Sequence, residues 1–249
     1  MAAPRELIFG THAVAAALRR DAARVLEILV AEGMESQARL HGILKEAHGI
    51  GIAVRSCSRK ALDNLVTTGG HQGIVAWQKP ARPFTEDDLD VLLDGLTAPP
   101  LLLILDGVQD PHNLGACLRT ADAAGVAAVI APRDRAVGLT PTVRKVASGA
   151  AEAVPFIQVT NLARSLRALK DRGIWLVGAD GEADADLFAA QLRGPLGLVM
   201  GAEGEGLRRL TRDHCDFLVR IPMAGTVASL NVSVATGICL FEAVRQRLA

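Results

Sequence analysis

The chain has 249 residues, half of them hydrophobic, with 27 basic and 27 acidic side chains. A zero balance excludes gripping nucleic acid by bulk charge and leaves only a local patch for that purpose. An aromatic content of 3%, with no tyrosine, excludes a broad base-stacking platform.

Residues 1–78 read as a small α/β unit. Thr11 to Arg20 is an alanine-rich helix that Thr11 can cap. Val25 to Ala31 is a strand, Ser36 to His48 a helix ended by Gly49 and Gly51, and Ile52 to Ser56 a second strand. Arg59 to Leu65 is a short helix and Gly73 to Trp77 another strand. Arg5, His12, Arg19, Arg20, Arg55, Arg59 and Lys60 are the phosphate-contact candidates here. Residues 79–98 read as a linker. Pro80, Pro83 and Pro99 stiffen it, and the acidic run Glu86 to Asp90 opens a short helix.

From residue 99 to 249 the rhythm changes to repeated strand and helix. Strands are expected at Leu101 to Leu105, Val126 to Ala131, Val154 to Val159, Ile174 to Gly178 and Leu196 to Met200. Helices are expected at Asn113 to Ala124, Thr142 to Ala150 and Leu162 to Arg172. Leu218 to Ile221 is short and extended, and a final helix runs to Arg247. Uniformly apolar strands flanked by helices imply a parallel sheet covered on both faces.

The four cysteines, Cys57, Cys117, Cys215 and Cys239, are scattered, with no C-x-x-C pair and no histidine at zinc spacing. They fit reduced, mostly buried thiols in a cytoplasmic protein, and no metal site is expected. Met1 to Leu29 lacks the marks of a signal peptide, and no apolar run suits a membrane helix.

Three stretches carry chemistry. Asn113 to Asp122 reads NLGACLRTAD, Leu198 to Leu207 reads LVMGAEGEGL, and Ile221 to Val244 reads IPMAGTVASLNVSVATGICLFEAV. In the last, Pro222 and Gly225 rule out regular structure before a buried helix. Ser229 or Asn231 can cap that helix, along which Leu230, Val234, Ile238 and Phe241 recur at helical spacing. The six residues between Asn113 and Arg119 put them on roughly one broad helix face, nearly two turns apart. The first strand of this half runs into Asp106-Gly107-Val108 rather than a dinucleotide fingerprint. No Lys-Ser/Thr follows the glycines of 201–206, so a Walker loop is rejected. Glu203 is an acid in a glycine loop, suited to holding Arg119 or a hydroxyl. His112 lies outside any pattern and reads as a loop residue, while Arg144 and Lys145 lie near the expected RNA face.

Together these stretches resemble the signature motifs of the SpoU (TrmH-like) branch of the SPOUT RNA methyltransferases: N-x-G-A-x-x-R-T-A, M-G-x-E-G-x-G and I-P-M-x-G-x-x-x-S-L-N-V-S-V-A. The resemblance covers roughly residues 100 to 249. It implies an α/β methyltransferase domain with a parallel sheet and a deep trefoil knot, an exception to the usual absence of knots. It makes residues 1–78 a ribosomal-protein-L30e-like domain that holds RNA. It implies a homodimer, its site completed across the interface, that transfers methyl from S-adenosylmethionine to a guanosine 2′-hydroxyl of 23S rRNA. Neither DNA nor a membrane is an expected partner.

By the same resemblance Arg119 is catalytic, and Gly201, Ile221 and Leu230 give main-chain contacts to the cofactor. An arginine holds its proton too firmly to be a free base, so Arg119 reads as a cation that binds RNA phosphate and acidifies the hydroxyl. Asn113 orients Arg119 or caps its helix. Ser229 and Asn231 position the target ribose or the cofactor. The reaction is an in-line displacement in which the positive charge on sulfur disappears, and a dry pocket favours it. Three alternatives stay open: a tRNA guanosine-2′-O-methyltransferase, a resistance methyltransferase acting on another rRNA nucleotide, and a non-catalytic ribosome-assembly factor of the same fold.

Overall fold

Strands apolar on both faces need cover on both faces, and the two halves of the chain meet that need around separate sheets. The computed structural model describes residues 5–66, 70–80, 82 and 84–248. The chain divides into Met1–Arg82 with Ser148–Ala153, and Pro83–Ala147 with Val154–Ala249. Pro83, one of the prolines expected to stiffen the linker, lies outside the described residues.

In the first unit β1 (Glu6–Phe9) leads to α1 (Thr11–Asp21), β2 (Val25–Ala31), α2 (Ala38–Gly49), β3 (Ala53–Cys57), α3 (Arg59–Leu65) and β4 (Ile74–Gln78). The sheet order is β1-β4-β2-β3; β2 and β3 run parallel, the other pairs antiparallel. Val14, Leu18, Ile28, Val30, Leu40 and Leu44 fill one core. Leu62, Val66 and Val75 fill another beneath α3. Thr11 is not the cap of α1. Gly10 holds that place at φ 91, and the Thr11 N–H and hydroxyl both donate to Gln72 Oε1, at 3.2 and 2.9 Å.

The second unit contains α4 (Glu86–Asp94), β5 (Leu101–Asp106), α5 (Pro111–Ala123), β6 (Ala128–Pro132) and α6 (Pro141–Ala147). After α7 (Ala150–Ala153), which belongs with the first unit and packs on α1, come β7 (Phe156–Val159), α8 (Leu162–Asp171), β8 (Trp175–Ala179), β9 (Ala185–Asp186), β10 (Leu196–Gly201), α9 (Arg209–His214), β11 (Phe217–Arg220) and α10 (Val232–Leu248). The helix expected over residues 142–150 is broken because Ser148 and Gly149 take φ 52 and 98, which a right-handed helix cannot continue.

The seven strands lie in the order β7-β6-β5-β10-β8-β11-β9, every pair parallel. Every residue of β5 is buried, which its unbroken apolar run requires. Leu102, Ile104, Ile130 and Ile157 pack against α4 and α8 through Leu89, Leu166 and Leu169. On the opposite face α10 packs against α5 and β10.

The helix α10 turns a different side inward from the one its spacing suggested. Val232, Thr236, Cys239, Leu240 and Ala243 are buried, whereas Val234 is 52% and Phe241 48% exposed. The helix is apolar around most of its circumference, so periodicity does not single out a face. The side with small residues wins: Gly237 sits beside Thr120, and Cys117 Sγ lies 3.6 Å from Thr236 Oγ1. Among the described residues no helix is long and apolar enough to cross a membrane.

Candidate active site

In a parallel sheet the open crevice lies beyond the carboxyl ends of the strands, where the strand order reverses. Here the chain steps outward from β5 through β6 to β7, while β10 lies on the other side of β5. At Gly201 the chain leaves β10 in a tight loop closed by paired hydrogen bonds between Ala202 and Gly206, each 3.0 Å. A Cβ on Gly201 would overlap the Gly206 carbonyl. Gly204 and Gly206 take φ 81 and 67, so the turn requires glycine for both space and conformation.

This loop forms one wall of a cleft of about 380 Å³. The other walls come from Ala179 and Asp180 at the end of β8, Val219 and Ile221 at the end of β11, and Ser229, Leu230 and Val232 at the start of α10. Gly201, Glu203, Ile221, Ser229 and Leu230 thus line one space. The volume lies in the range of about 300–1,000 Å³ usual for small-molecule sites. Apolar Met200, Leu207 and Ile221 share the lining with the carboxylates of Asp180, Glu182 and Glu203, a set of acceptors suited to a molecule with hydroxyl groups and a cationic centre.

A polar cluster joins the three motifs. Asn231 caps α10: its Oδ1 accepts the Ser233 N–H at 3.0 Å and the Ser233 hydroxyl at 2.6 Å. That leaves Nδ2 to donate to Asn113 Oδ1 at 2.9 Å and to Glu203 Oε1 at 3.3 Å. Asn113 in turn donates from Nδ2 to Glu203 Oε2 at 3.0 Å. The backbone bond at one end therefore fixes the orientation of both amides. Asn113 is 7% exposed and Glu203 is exposed, so the cluster runs from the helix interface to solvent.

Three expectations about these residues are corrected. Asn113 does not cap α5; Asp110 does, accepting the His112 N–H at 2.9 Å, with Pro111 at the first helical position. Glu203 holds the two asparagines rather than Arg119. Arg119 does not share the face of Asn113: it is exposed and outside the cluster. Six residues at about 100° each carry the side chain round by about 240°, well off the Asn113 direction. Ser229 lines the cleft without bonding to the cluster.

Two ion pairs close to the cleft have no counterpart in the sequence reading. Asp180 pairs with Arg212 at 3.1 Å, and both line the cleft. Asp106, fully buried, pairs with Arg208. The one available signal was their position, an acid at the carboxyl end of an apolar strand. Of the phosphate candidates, Arg5 stacks over Trp77 at 4.3 Å, Arg55 pairs with Glu27 at 3.6 Å, and Arg20 donates to the Glu152 carbonyl. His12, Arg19, Arg59 and Lys60 are exposed.

Residues 100–241 match the SpoU rRNA Methylase family, and residues 7–84 match the family described as RNA 2′-O ribose methyltransferase substrate binding. The chain is 59% identical over 242 residues to the 23S rRNA (guanosine-2′-O-)-methyltransferase RlmB of Photobacterium profundum, covering 97% of this chain and 98% of the relative. It is 58% identical over 244 residues to RlmB of Vibrio cholerae, with 98% of both chains covered. Among solved structures it resembles the SpoU methyltransferase AviRb from Streptomyces viridochromogenes, crystallised with the cofactor AdoMet. That match has a TM-score of 0.78 and 26% identity, over 98% of this chain and 91% of the other. With that family match and relatives aligned almost end to end, the chain belongs to the SpoU rRNA methylase family.

Proposed function

We propose that this protein methylates the ribose 2′-hydroxyl of a guanosine in 23S rRNA, using S-adenosylmethionine. The observation that carries the reading is the Asn113–Glu203–Asn231 cluster at the cleft that Gly201, Ile221 and Leu230 line. The relatives named for the 23S guanosine reaction match the chain over nearly its whole length, including the first unit. That coverage favours the ribosomal RNA over a tRNA substrate.

When bound, the cofactor supplies an electrophilic methyl group on a cationic sulfur. The chain's own residues do the rest. The glycine loop brings main-chain groups of 201–206 close to the ligand. Two of the roughly four acceptor positions of the Glu203 carboxylate are taken by amides, which leaves capacity for a hydroxyl. Asn231 is held by the first turn of α10, so the cluster stands in one geometry before substrate arrives, and alignment lowers the barrier. Arg119 is the cation that receives the RNA phosphate and favours loss of the hydroxyl proton.

The protein acts in the cytoplasm as a homodimer whose sites are completed across the interface. Arg119 stands outside its own chain's cluster, and α10 carries the exposed apolar Val234 and Phe241, which a second copy would cover. Residues 1–78 are the L30e-like domain that holds RNA, 79–98 the linker and 99–249 the methyltransferase domain. The family match over residues 7–84 supports the first assignment. The trefoil knot rests on the family and is compatible with β10 lying between β5 and β8.

The test is methyl transfer from labelled S-adenosylmethionine to 23S rRNA and, separately, to bulk tRNA, with the modified nucleotide mapped. Label on a single 23S guanosine is expected. Label in tRNA alone overturns the substrate, and no cofactor binding overturns the activity.

A further inference from the structure

The loop that supplies both Gly201 and Glu203 begins and ends beside one residue, Asp106. Asp106 closes β5 directly beside Gly201 in the parallel register. Its side chain is 0% exposed. Oδ2 accepts the Arg208 backbone N–H at 2.9 Å and Oδ1 accepts Arg208 Nε–H at 2.6 Å, with Nη2 on the same oxygen. Asp106 therefore pairs in the sheet with the residue from which the loop departs, and its side chain grips the residue where the loop ends. The next residue, Gly107, takes φ 90, a conformation that favours glycine, and lies beside Ala202. Neither Asp106 nor Arg208 lines the cleft.

We infer that Asp106, through Arg208, is a positioning residue for methyl transfer: it clamps the base of the 201–208 loop so that Gly201 and Glu203 keep their places. The inference rests on the proposed use of this cleft for S-adenosylmethionine. A buried ion pair is a poor source of net stability, because desolvation offsets the attraction and a well-packed apolar pair does as well. What it supplies is geometry: a carboxylate that accepts one backbone and one guanidinium bond admits one placement of Arg208. Between the two anchors the described hydrogen bonds of the loop are the Ala202–Gly206 pairing and those that the Glu203 side chain accepts from Asn113 and Asn231. With the clamp released, Glu203 loses its fixed distance to Asn113 and Asn231, although every group that touches ligand is still present.

The experiment is a calorimetric titration of S-adenosylmethionine, with kcat on RNA and a melting curve, for wild type, Asp106→Asn, Arg208→Ala and the neutral pair Asp106→Asn with Arg208→Gln. Arg208→Ala leaves the Asp106 carboxylate buried without its guanidinium, so the neutral pair, which leaves no buried charge, keeps the test open if a single change unfolds the protein. Each single change is expected to weaken cofactor binding about tenfold and to lower kcat about a hundredfold, the scale of a 1 Å misplacement. The double change should cost no more than either single one, since both remove one contact. Unchanged affinity and kcat in Arg208→Ala overturn the inference. So do additive losses, or losses that follow the melting temperature and vanish in the cold. A wild-type protein that binds no S-adenosylmethionine overturns the proposed function as well, which separates the two failures.

Discussion

The two ends of α10 use the same kind of hydrogen bond for opposite purposes. At its start Asn231 is tied to Ser233, Asn113 and Glu203, and the chain of bonds ends in an exposed carboxylate at a cleft. At its end Glu242 and Gln246 are turned inward. Gln246, 8% exposed, donates to the Ala190 carbonyl at 2.9 Å and to Glu242 at 2.8 Å, and accepts the Leu192 N–H at 2.9 Å. Arg245 closes on Glu242 at 2.7 and 2.8 Å. Arg247 reaches the carbonyls of Pro99 at 3.1 Å, Pro100 at 3.0 Å and Gly194. A closed network fixes where the helix lies, whereas an open one, held by that fixed helix, presents acceptors to a ligand.

The comparison predicts that changes at the two ends separate. Asn231→Ala, at the open end, and Arg119→Ala, on α5, are each expected to lower kcat by about 10²–10³-fold, the cost of losing a preorganised polar group. Arg119→Ala should leave cofactor affinity and the melting temperature near wild type, whereas Asn231→Ala also removes the α10 cap and should cost about 1 kcal/mol of stability. A melting loss in proportion to the activity loss would erase the distinction. Mixing the two inactive variants is expected to restore part of the activity if sites are shared between copies. Gln246→Leu, at the closed end, orphans the Leu192 N–H and should destabilise by about 1–3 kcal/mol with kcat per folded molecule unchanged. Urea titration with parallel assays distinguishes the cases.

A smaller effect follows from Glu242. Its hydrogen bonds from Arg245 and then Gln246 hold its carboxyl down at about 2, against an ordinary 4.5. The folded form thus has the lower pKa. The stabilisation is fully present above 4.5 and is lost as pH falls toward about 2. Urea midpoints across that window should fall more gently for Glu242→Gln than for wild type. An identical fall would remove Glu242 from the account. The smallest effect is a rate. Burial pushes the Cys117 thiol up to about 11 and Cys239 up to about 12. Alkylation of both should be slow in wild type and in Asn231→Ala, and faster in Gln246→Leu, which loosens the helix that covers them.

The strand rhythm of residues 99–249 was legible because a strand buried on both faces is apolar throughout, as Leu101 to Leu105 is. The site was legible where residues act locally, as in the glycine turn and the Asn231 cap. Three things were not. Helical phase misplaced Arg119, since a broad face was granted to a pair about 120° apart. The inward side of α10 was ambiguous because Val234 and Phe241 are as apolar as Val232 and Leu240. The Asp106–Arg208 clamp joins residues whose separation, 102 positions, is bridged only by the order of β5 and β10 in the sheet.

The central claim is that the reacting atom is a ribose oxygen in ribosomal RNA, and one substitution in the substrate tests it most directly. Once the labelled guanosine of 23S rRNA is mapped, the same RNA is made with 2′-deoxyguanosine at that position and offered with labelled S-adenosylmethionine. Label is expected in the ribose form and is lost with the deoxy form. Label that persists in the deoxy RNA would place the methyl group on the base and contradict it.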